Sequence, residues 1–253
     1  MDIVIIGSGN VATSLGKKAL AAGHKIVQVV SRSSLHAKIL ADQLACEYGG
    51  LSEINRSALI YIIAISDSAL INLKQILHLN KAIVVHTAGA VSIDVLQGVS
   101  LNYGVIWPLQ SLRKEAQTVP DFPLLVDGNT PECITVLQDF SSSISTRVER
   151  MNDAQRMKMH LAAVISGNFS NHLYTLVDDY CTNENLDFSL LQPMLLETVS
   201  RLSYFRPASV QTGPAVRNDI ETMNHHMEML KQNDDLSEVY EMFSSLIIKA
   251  NQS

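Results

Sequence analysis

Two rhythms of apolar residues divide the chain. In the first 150 residues, short apolar runs rich in Val and Ile alternate with stretches whose apolar positions recur every three or four residues. The runs at 2–6, 25–30, 58–65, 81–85, 103–106, 123–126 and 146–149 predict strands, with a short one near 46–48. Continuous hydrophobicity, rather than alternation, marks strands covered on both faces, as in a parallel sheet flanked by helices. Helical spacing predicts helices from Val11 past Ala19, over 34–45, from Ser66-Asp67-Ser68 through Leu77, and over 130–143. The alternation predicts an α/β fold with a mainly parallel, doubly wound sheet. From Met151 onward strand-like runs disappear, and helices are expected near 152–182, 188–203, 214–231 and 235–250. Leu161, Ile165, Phe169, Leu173, Leu176 and Tyr180 form a stripe on the first of these and are expected to build a helical core. Two domains follow, 1–150 and 151–253, and the absence of a Gly/Ser linker predicts that they pack firmly.

The first strand runs into Gly7-Ser8-Gly9-Asn10-Val11-Ala12. Strand, Gly-x-Gly-x-x-Ala turn and helix in this order form the dinucleotide-binding fingerprint of a Rossmann domain. Gly7 allows the tight turn, Gly9 lets backbone amides approach a pyrophosphate, and Ala12 keeps the helix close to the strand. The helix N-terminus then offers unpaired N–H groups to the phosphates. The second strand ends in Ser31-Arg32-Ser33, where NAD-selective enzymes usually place a carboxylate. A guanidinium between two hydroxyls suits a 2′-phosphate, so NADP is expected over NAD. A solvated arginine beside a capping serine is the alternative. Ligands in open parallel sheets sit beyond the carboxyl ends of the strands, which adds Ile65, Ser66, Asp67, Thr87 and Gly89. Asp67 reads equally well as a helix cap. Trp107-Pro108-Leu109-Gln110-Ser111 ends the sixth strand where it should border the nicotinamide, so Pro108 and Gln110 become candidate substrate contacts; ordinary turn chemistry is the alternative.

On a uniform helix over 152–182, His160, Asn168 and Asn171 fall on one side. A carbonyl or imine that accepts hydride develops charge, which a histidine can neutralise with a proton while asparagines orient the acceptor. His160, Asn168 and Asn171 are therefore the catalytic candidates, against the alternative that they pack or face solvent. In Thr212-Gly213-Pro214-Ala215-Val216-Arg217, a capped helix start beside Arg217 suits a carboxylate or phosphate, although an Arg217–Asp219 surface pair explains it as well. No metal-binding spacing occurs.

Composition narrows the partners. The chain is 47% hydrophobic and 17% charged, enough to bury a large core. A net charge of −6 without a basic block argues against nucleic acid and membrane surfaces. The first residues form a strand, not a leader, and the longest apolar run is too short to span a bilayer. Three separated cysteines, Cys46, Cys133 and Cys181, suit a reducing compartment. A cytoplasmic protein acting on a small molecule is expected.

Gly7-Ser8-Gly9-Asn10-Val11-Ala12, Ser31-Arg32-Ser33, Ala64-Ile65-Ser66-Asp67 and His86-Thr87-Ala88-Gly89 resemble the NADP domain of pyrroline-5-carboxylate reductases and of deazaflavin-dependent NADP oxidoreductases. Trp107-Pro108-Leu109-Gln110, the 160–172 segment and Thr212 to Arg217 are closer to a bacterial family with a Rossmann-like domain and a helical domain of unknown function. That resemblance implies a second domain like that of 6-phosphogluconate dehydrogenases, commonly used for dimerisation, and hence a homodimer. The lysine-then-asparagine pair of hydroxyacid dehydrogenases is not reproduced, because Lys158 lies on a different side of the helix from Asn168. No residue signals a deazaflavin. The expectation is an NADP-dependent oxidoreductase that moves hydride between nicotinamide and a small carbonyl or imine. The alternative is a non-catalytic NADP-binding sensor or partner-binding module.

Overall fold

The run Asp2–Ile6 forms β1, and its neighbours show why the whole strand is apolar. Ile3 and Ile5 point to one face of the sheet and Val4 and Ile6 to the other, and all four are buried. The computed structural model describes residues 1–115 and 118–252. After β1 come α1 (Asn10–Ala21), β2 (Lys25–Val30), α2 (Ser34–Leu44), β3 (Glu47–Gly49), β4 (Ile60–Ile63), α3 (Asp67–Ile71) and β5 (Ile83–His86). They are followed by β6 (Asn102–Pro108), β7 (Leu124–Gly128), α4 (Pro131–Ile144), β8 (Val148–Arg150) and α5 (Asp153–Ala163).

The eight strands form one sheet in the order β3-β2-β1-β4-β5-β6-β7-β8. Pairing is parallel from β3 to β6 and between β7 and β8, while β7 runs antiparallel to β6. The chain moves outward from β1 to β3 and then crosses back to β4, so the switch in strand order lies between β1 and β4. One face packs Ile3, Ile5, Ile60 and Ile62 against α1, α2 and α4 through Leu15, Leu44 and Phe140. The other packs Val4, Ile6, Tyr61 and Val84 against Leu70, Leu73 and Leu77. This is the doubly wound, mostly parallel α/β architecture that the alternating pattern predicts.

Several elements differ from expectation. The helix expected through Leu77 is short, ending at Ile71 and followed by a 3-10 turn over Leu73–Gln75. Ile71 and Asn72 are poor helix formers, and Leu70, Leu73 and Leu77 all reach the core without a longer helix. Strand β6 continues through Trp107 and Pro108, because Pro108 at the last position gives up no interior ladder bond. The single helix over 152–182 is α5, a π-helical segment over Val164–Phe169, and α6 (Ser170–Asn183).

The chain divides into two compact units, Met1–Ile165 and the residues from Ser166 onward, one helix later than the expected boundary near 150. The second unit contains α6, α7 (Gln192–Arg201), α8 (Ile220–Met229) and α9 (Asp234–Asn251). Helix α8 starts at Ile220, later than the expected 214, because the Asp219 carboxylate caps it by accepting from the Thr222 N–H at 3.1 Å. The expected helical core is sparse: the buried hydrophobics described from Ser166 onward are Cys181, Ala215, Met223 and Leu230. Leu161, Ile165 and Phe169, expected in that core, are exposed. Among the described residues, no helix is long and apolar enough to cross a membrane.

Candidate functional site

The β1–α1 turn is shaped by Gly7. Its φ is +125°, and a Cβ there would lie 2.1 Å from the Ala64 carbonyl oxygen. Only glycine therefore permits the turn to press against the end of β4, where the Gly7 N–H donates to Val30 and the Ala64 N–H to Ile6. Gly9 differs, since a Cβ there would meet nothing within 4 Å. The space in front of it is open. Helix α1 begins at Asn10 with no side-chain cap and no acidic residue in its first turn, so its positive end is left for an anion.

In front of this turn lies a cleft of ≈ 1170 Å³. Of the residues expected to hold a cofactor, Gly7, Ser8, Gly9, Asn10, Val11, Ser31, Arg32, Ser33, Ile65, Ser66, Asp67 and Thr87 all line it. Gly89 does not, but its neighbour Ala88 does. The Ser8 and Ser31 hydroxyls are 3.1 Å apart and tie the glycine turn to the end of β2. Ser33 also acts as the N-cap of α2, its hydroxyl oxygen accepting from the His36 N–H at 3.3 Å. Asp67 is the first residue of α3 and not its cap, which is Ser66. The open glycine, the uncapped helix end and the Ser–Arg–Ser corner fit a dinucleotide with a 2′-phosphate. His36, Gly50, Leu51 and Ser52 also line the cleft and escaped the sequence reading. His36 carried a signal, four residues beyond Arg32 at the start of a helix. The 50–52 segment carried none beyond its glycine turn.

The end of β5 holds a second arrangement, all of it within the first unit. A Cβ on Gly89 would lie 2.6 Å from the Trp107 ring and 2.7 Å from the His160 ring. The two rings meet over this glycine with centroids 5.6 Å apart. His160 thus packs over the residue that follows the wall of the cofactor cleft. Trp107, which the sequence reading set at the nicotinamide border without a role of its own, packs with Val105 and Leu125 against Met159 and Met151.

Beneath these rings, α5 is pinned by charge. Arg156 is 1% exposed, and one terminal nitrogen donates to the Val91 carbonyl and to Asp153 Oδ1, the latter at 2.8 Å. Its Nε and other terminal nitrogen lack partners among the described residues. Asp153 also accepts from the Ile93 N–H at 3.4 Å. Burial alone would push the Asp153 carboxyl up, but hydrogen bonds from Ser92 and Arg156 and the guanidinium charge hold it below its ordinary value. Nearby His86 is fully buried, and its Nδ1 accepts from the Ala88 N–H at 3.1 Å. Burial, aided by the Arg156 charge and opposed by Asp153 and the Ser92 carbonyl, pushes its pKa down to about 4. It is neutral at pH 7.

Pro108 is buried within β6, and Gln110 is exposed with its side-chain oxygen accepting from the Ser111 N–H. Neither lines the cofactor cleft. A π-helical segment over Val164–Phe169 lies between His160 and Asn171, so the helix that carries them is not uniform. Arg217 belongs to the turn before α8 and not to a helix start, since its N–H bonds back to Pro214. Among the described residues, no His, Cys, Asp and Glu group is arranged to hold a metal.

Comparison with known proteins gives the family. Residues 2–90 match the family described as NADP oxidoreductase, coenzyme F420-dependent, and residues 122–247 match the domain of unknown function DUF2520. No curated protein matches the chain in sequence. Among solved structures, a Bacteroides fragilis protein provisionally assigned as an NADP oxidoreductase is 35% identical, with 98% of each chain covered and a TM-score of 0.90. The 1-pyrroline-5-carboxylate reductase of Streptococcus pyogenes shares the fold at 16% identity, 98% coverage of each chain and a TM-score of 0.68. So does the reductive aminase of Aspergillus terreus, solved with NADPH and ethyl-5-oxohexanoate, at 14% identity, coverage of 99% of this chain and 93% of that one, and a TM-score of 0.71. With a Rossmann domain of the first family and a helical region of the second, the chain belongs to the family of two-part NADP oxidoreductases that includes the Bacteroides fragilis protein.

Proposed function

We propose that the protein uses NADPH to reduce a small imine or carbonyl compound, with His160 as the proton donor. The observation that carries the reading is the meeting of His160 and Trp107 over Gly89, beside the last residue of the cofactor cleft. When bound, the cofactor supplies hydride to the electrophilic carbon of the C=N or C=O bond. The charge that gathers on nitrogen or oxygen takes a proton from His160, leaving an amine or an alcohol and NADP⁺. The indole of Trp107 walls this place with apolar surface and favours a substrate with little charge at the reacting end. The Ser31-Arg32-Ser33 corner supports NADPH over NADH. Asn168 and Asn171 are the candidates to orient the acceptor, and Arg217 is the candidate to hold a carboxylate or phosphate of the substrate.

We infer further that two copies associate through the second unit. Helices α7 and α9 bury no residue at all, while Leu190 and Leu196 are 77% and 73% exposed. A helical unit of this size with four buried hydrophobics needs another apolar surface. The three free cysteines support a reducing compartment such as the cytoplasm.

The test is NADPH oxidation against a panel of cyclic imines, ketones and keto acids, for wild type and for His160→Ala. Turnover of one class, falling roughly 10²- to 10⁴-fold in the variant with NADPH affinity kept, is the expected result. Equal turnover in the variant would remove His160 from the chemistry. A wild type that binds NADPH and turns over neither class would remove the substrate assignment.

A further inference from the structure

We propose that His86 is a positioning residue of the reaction: through its Nδ1 it fixes the turn that joins the cofactor cleft to His160. This rests on the reading of His160 as the proton donor. Thr87 and Ala88 line the cleft, and Gly89, directly after them, meets the rings of Trp107 and His160. Three consecutive residues thus set how far the donor stands from the cleft. The sheet does not hold them, since β5 ends at His86. Two side chains do. The Thr87 hydroxyl donates to the Ile63 carbonyl at the end of β4, at 3.4 Å, and His86 Nδ1 accepts from the Ala88 N–H at 3.1 Å.

The His86 ring is placed for that one bond. It is fully buried, and a nitrogen that accepts carries no hydrogen, so the neutral ring bears its hydrogen on Nε2. Nε2 meets no partner at hydrogen-bonding geometry among the described residues, and the Ser92 carbonyl acts on the ring only more loosely. Burying an imidazole for a single good bond costs more than burying an apolar side chain in its place. Ala88 is only partly buried, so water can serve its N–H without the ring. Stability alone therefore gives little reason for a histidine here, whereas a fixed Ala88 N–H does. The far side of the same loop is held from α5, where Arg156 donates to the Val91 carbonyl and Asp153 accepts from the Ile93 N–H at 3.4 Å. Arg156 and Asp153 are also the charged groups that act on the His86 ring, with opposite signs. Helix α5 carries His160 one turn beyond Arg156. The loop is thus fastened at one end to β5 and at the other to the helix of the donor.

A protonated imidazole quenches a neighbouring indole, so the fluorescence of Trp107, the single tryptophan, reports on His160 with no substrate present. Its change between about pH 5 and 8 is measured on the intact protein for wild type, His160→Ala, His86→Asn, His86→Gln and His86→Leu. The His86 ring stays neutral through that range, since burial and the Arg156 charge hold its pKa down to about 4. Asparagine places an oxygen where Nδ1 stands, glutamine reaches instead to the place of Nε2, and leucine offers no acceptor. The two amides carry the comparison on their own, because each buries a polar group of the same kind. The change should persist in His86→Asn, vanish in His160→Ala, and be lost or shifted in His86→Gln and His86→Leu. With an imine or ketone that the wild type reduces, kcat should fall about ten- to a hundredfold in His86→Gln and His86→Leu and recover in His86→Asn, with NADPH affinity kept throughout. Three His86 variants that all behave as wild type would overturn the inference, because the ring is then not needed. Three that all fail alike would overturn it too, because the ring then acts by packing and not through its acceptor. A wild type that shows the fluorescence change and binds NADPH, yet reduces no imine or ketone, would overturn the proposed reduction and leave the turn set by His86 standing.

Discussion

A histidine is most informative when the fold decides its proton, and His86 is such a case. It ends β5 fully buried, with Nδ1 occupied by the Ala88 N–H, in the turn that carries Gly89 to the rings of Trp107 and His160. Its pKa is about 4 in the fold against an ordinary 6.5. Between those values the unfolded chain binds a proton that the folded chain refuses, so stability is full above about pH 6.5 and declines as the pH drops toward 4. The loss is about 2 kcal/mol at pH 5. Urea midpoints of wild type and His86→Asn at pH 7 and pH 5 check this, because asparagine retains an acceptor but no proton equilibrium. The wild type should lose more stability over that interval. Equal losses would place the titration elsewhere. None of this was legible in the sequence, where His86 is one polar residue after an apolar run and its burial is set by neighbours distant in the chain.

At the level of elements, the strands were legible because burial on both faces forces each one to be apolar throughout, as in 2–6 and 60–63. The glycine turn was legible because a positive φ and a close backbone approach leave no choice at Gly7. The interruption between α5 and α6 was not, since Val164–Phe169 keeps apolar spacing that fits an α-helix equally well. Equally hidden was what pins α5. Arg156 looks like a surface residue in the sequence, but it is 1% exposed and ties the start of α5 to the 91–93 turn. Its pairing is unequal, since the Asp153 side chain is 39% exposed and the Arg156 side chain 1%. Removing the arginine leaves a carboxylate that water can reach, whereas removing the carboxylate strands a guanidinium in the core. Asp153→Ala should therefore cost about 3–5 kcal/mol, and Arg156→Met distinctly less. Chemical denaturation of the two variants gives the comparison, and the reverse order would show that Arg156 acts chiefly through packing. Because His160 lies one turn after Arg156, the quenching of Trp107 should change with Asp153→Ala even where the fold survives.

For the whole molecule, the contrast between the two units is the strongest guide to how it exists in solution. The first buries both faces of an eight-stranded sheet under helices and turns. The second has helices that carry apolar residues yet bury almost nothing, with Phe169, Leu186, Met194 and Tyr204 exposed as well. Helical spacing in the sequence identified Leu161, Ile165 and Phe169 as core-forming, and it did so without saying which chain completes the core. That information is absent from a periodicity, which reports only that a face must be covered. If a second copy covers it, substitutions that are harmless on an exposed surface become severe. Leu190→Glu and Leu196→Glu together should convert a particle of twice the chain mass to one of the chain mass and lower the melting temperature of the second unit. On a monomer the same changes should shift stability by no more than about 0.5 kcal/mol. Light scattering behind size exclusion separates the cases. A monomeric wild type at micromolar concentration would refute the dimer, whereas a concentration-dependent melting temperature in wild type alone would show that the second unit folds only as part of a pair.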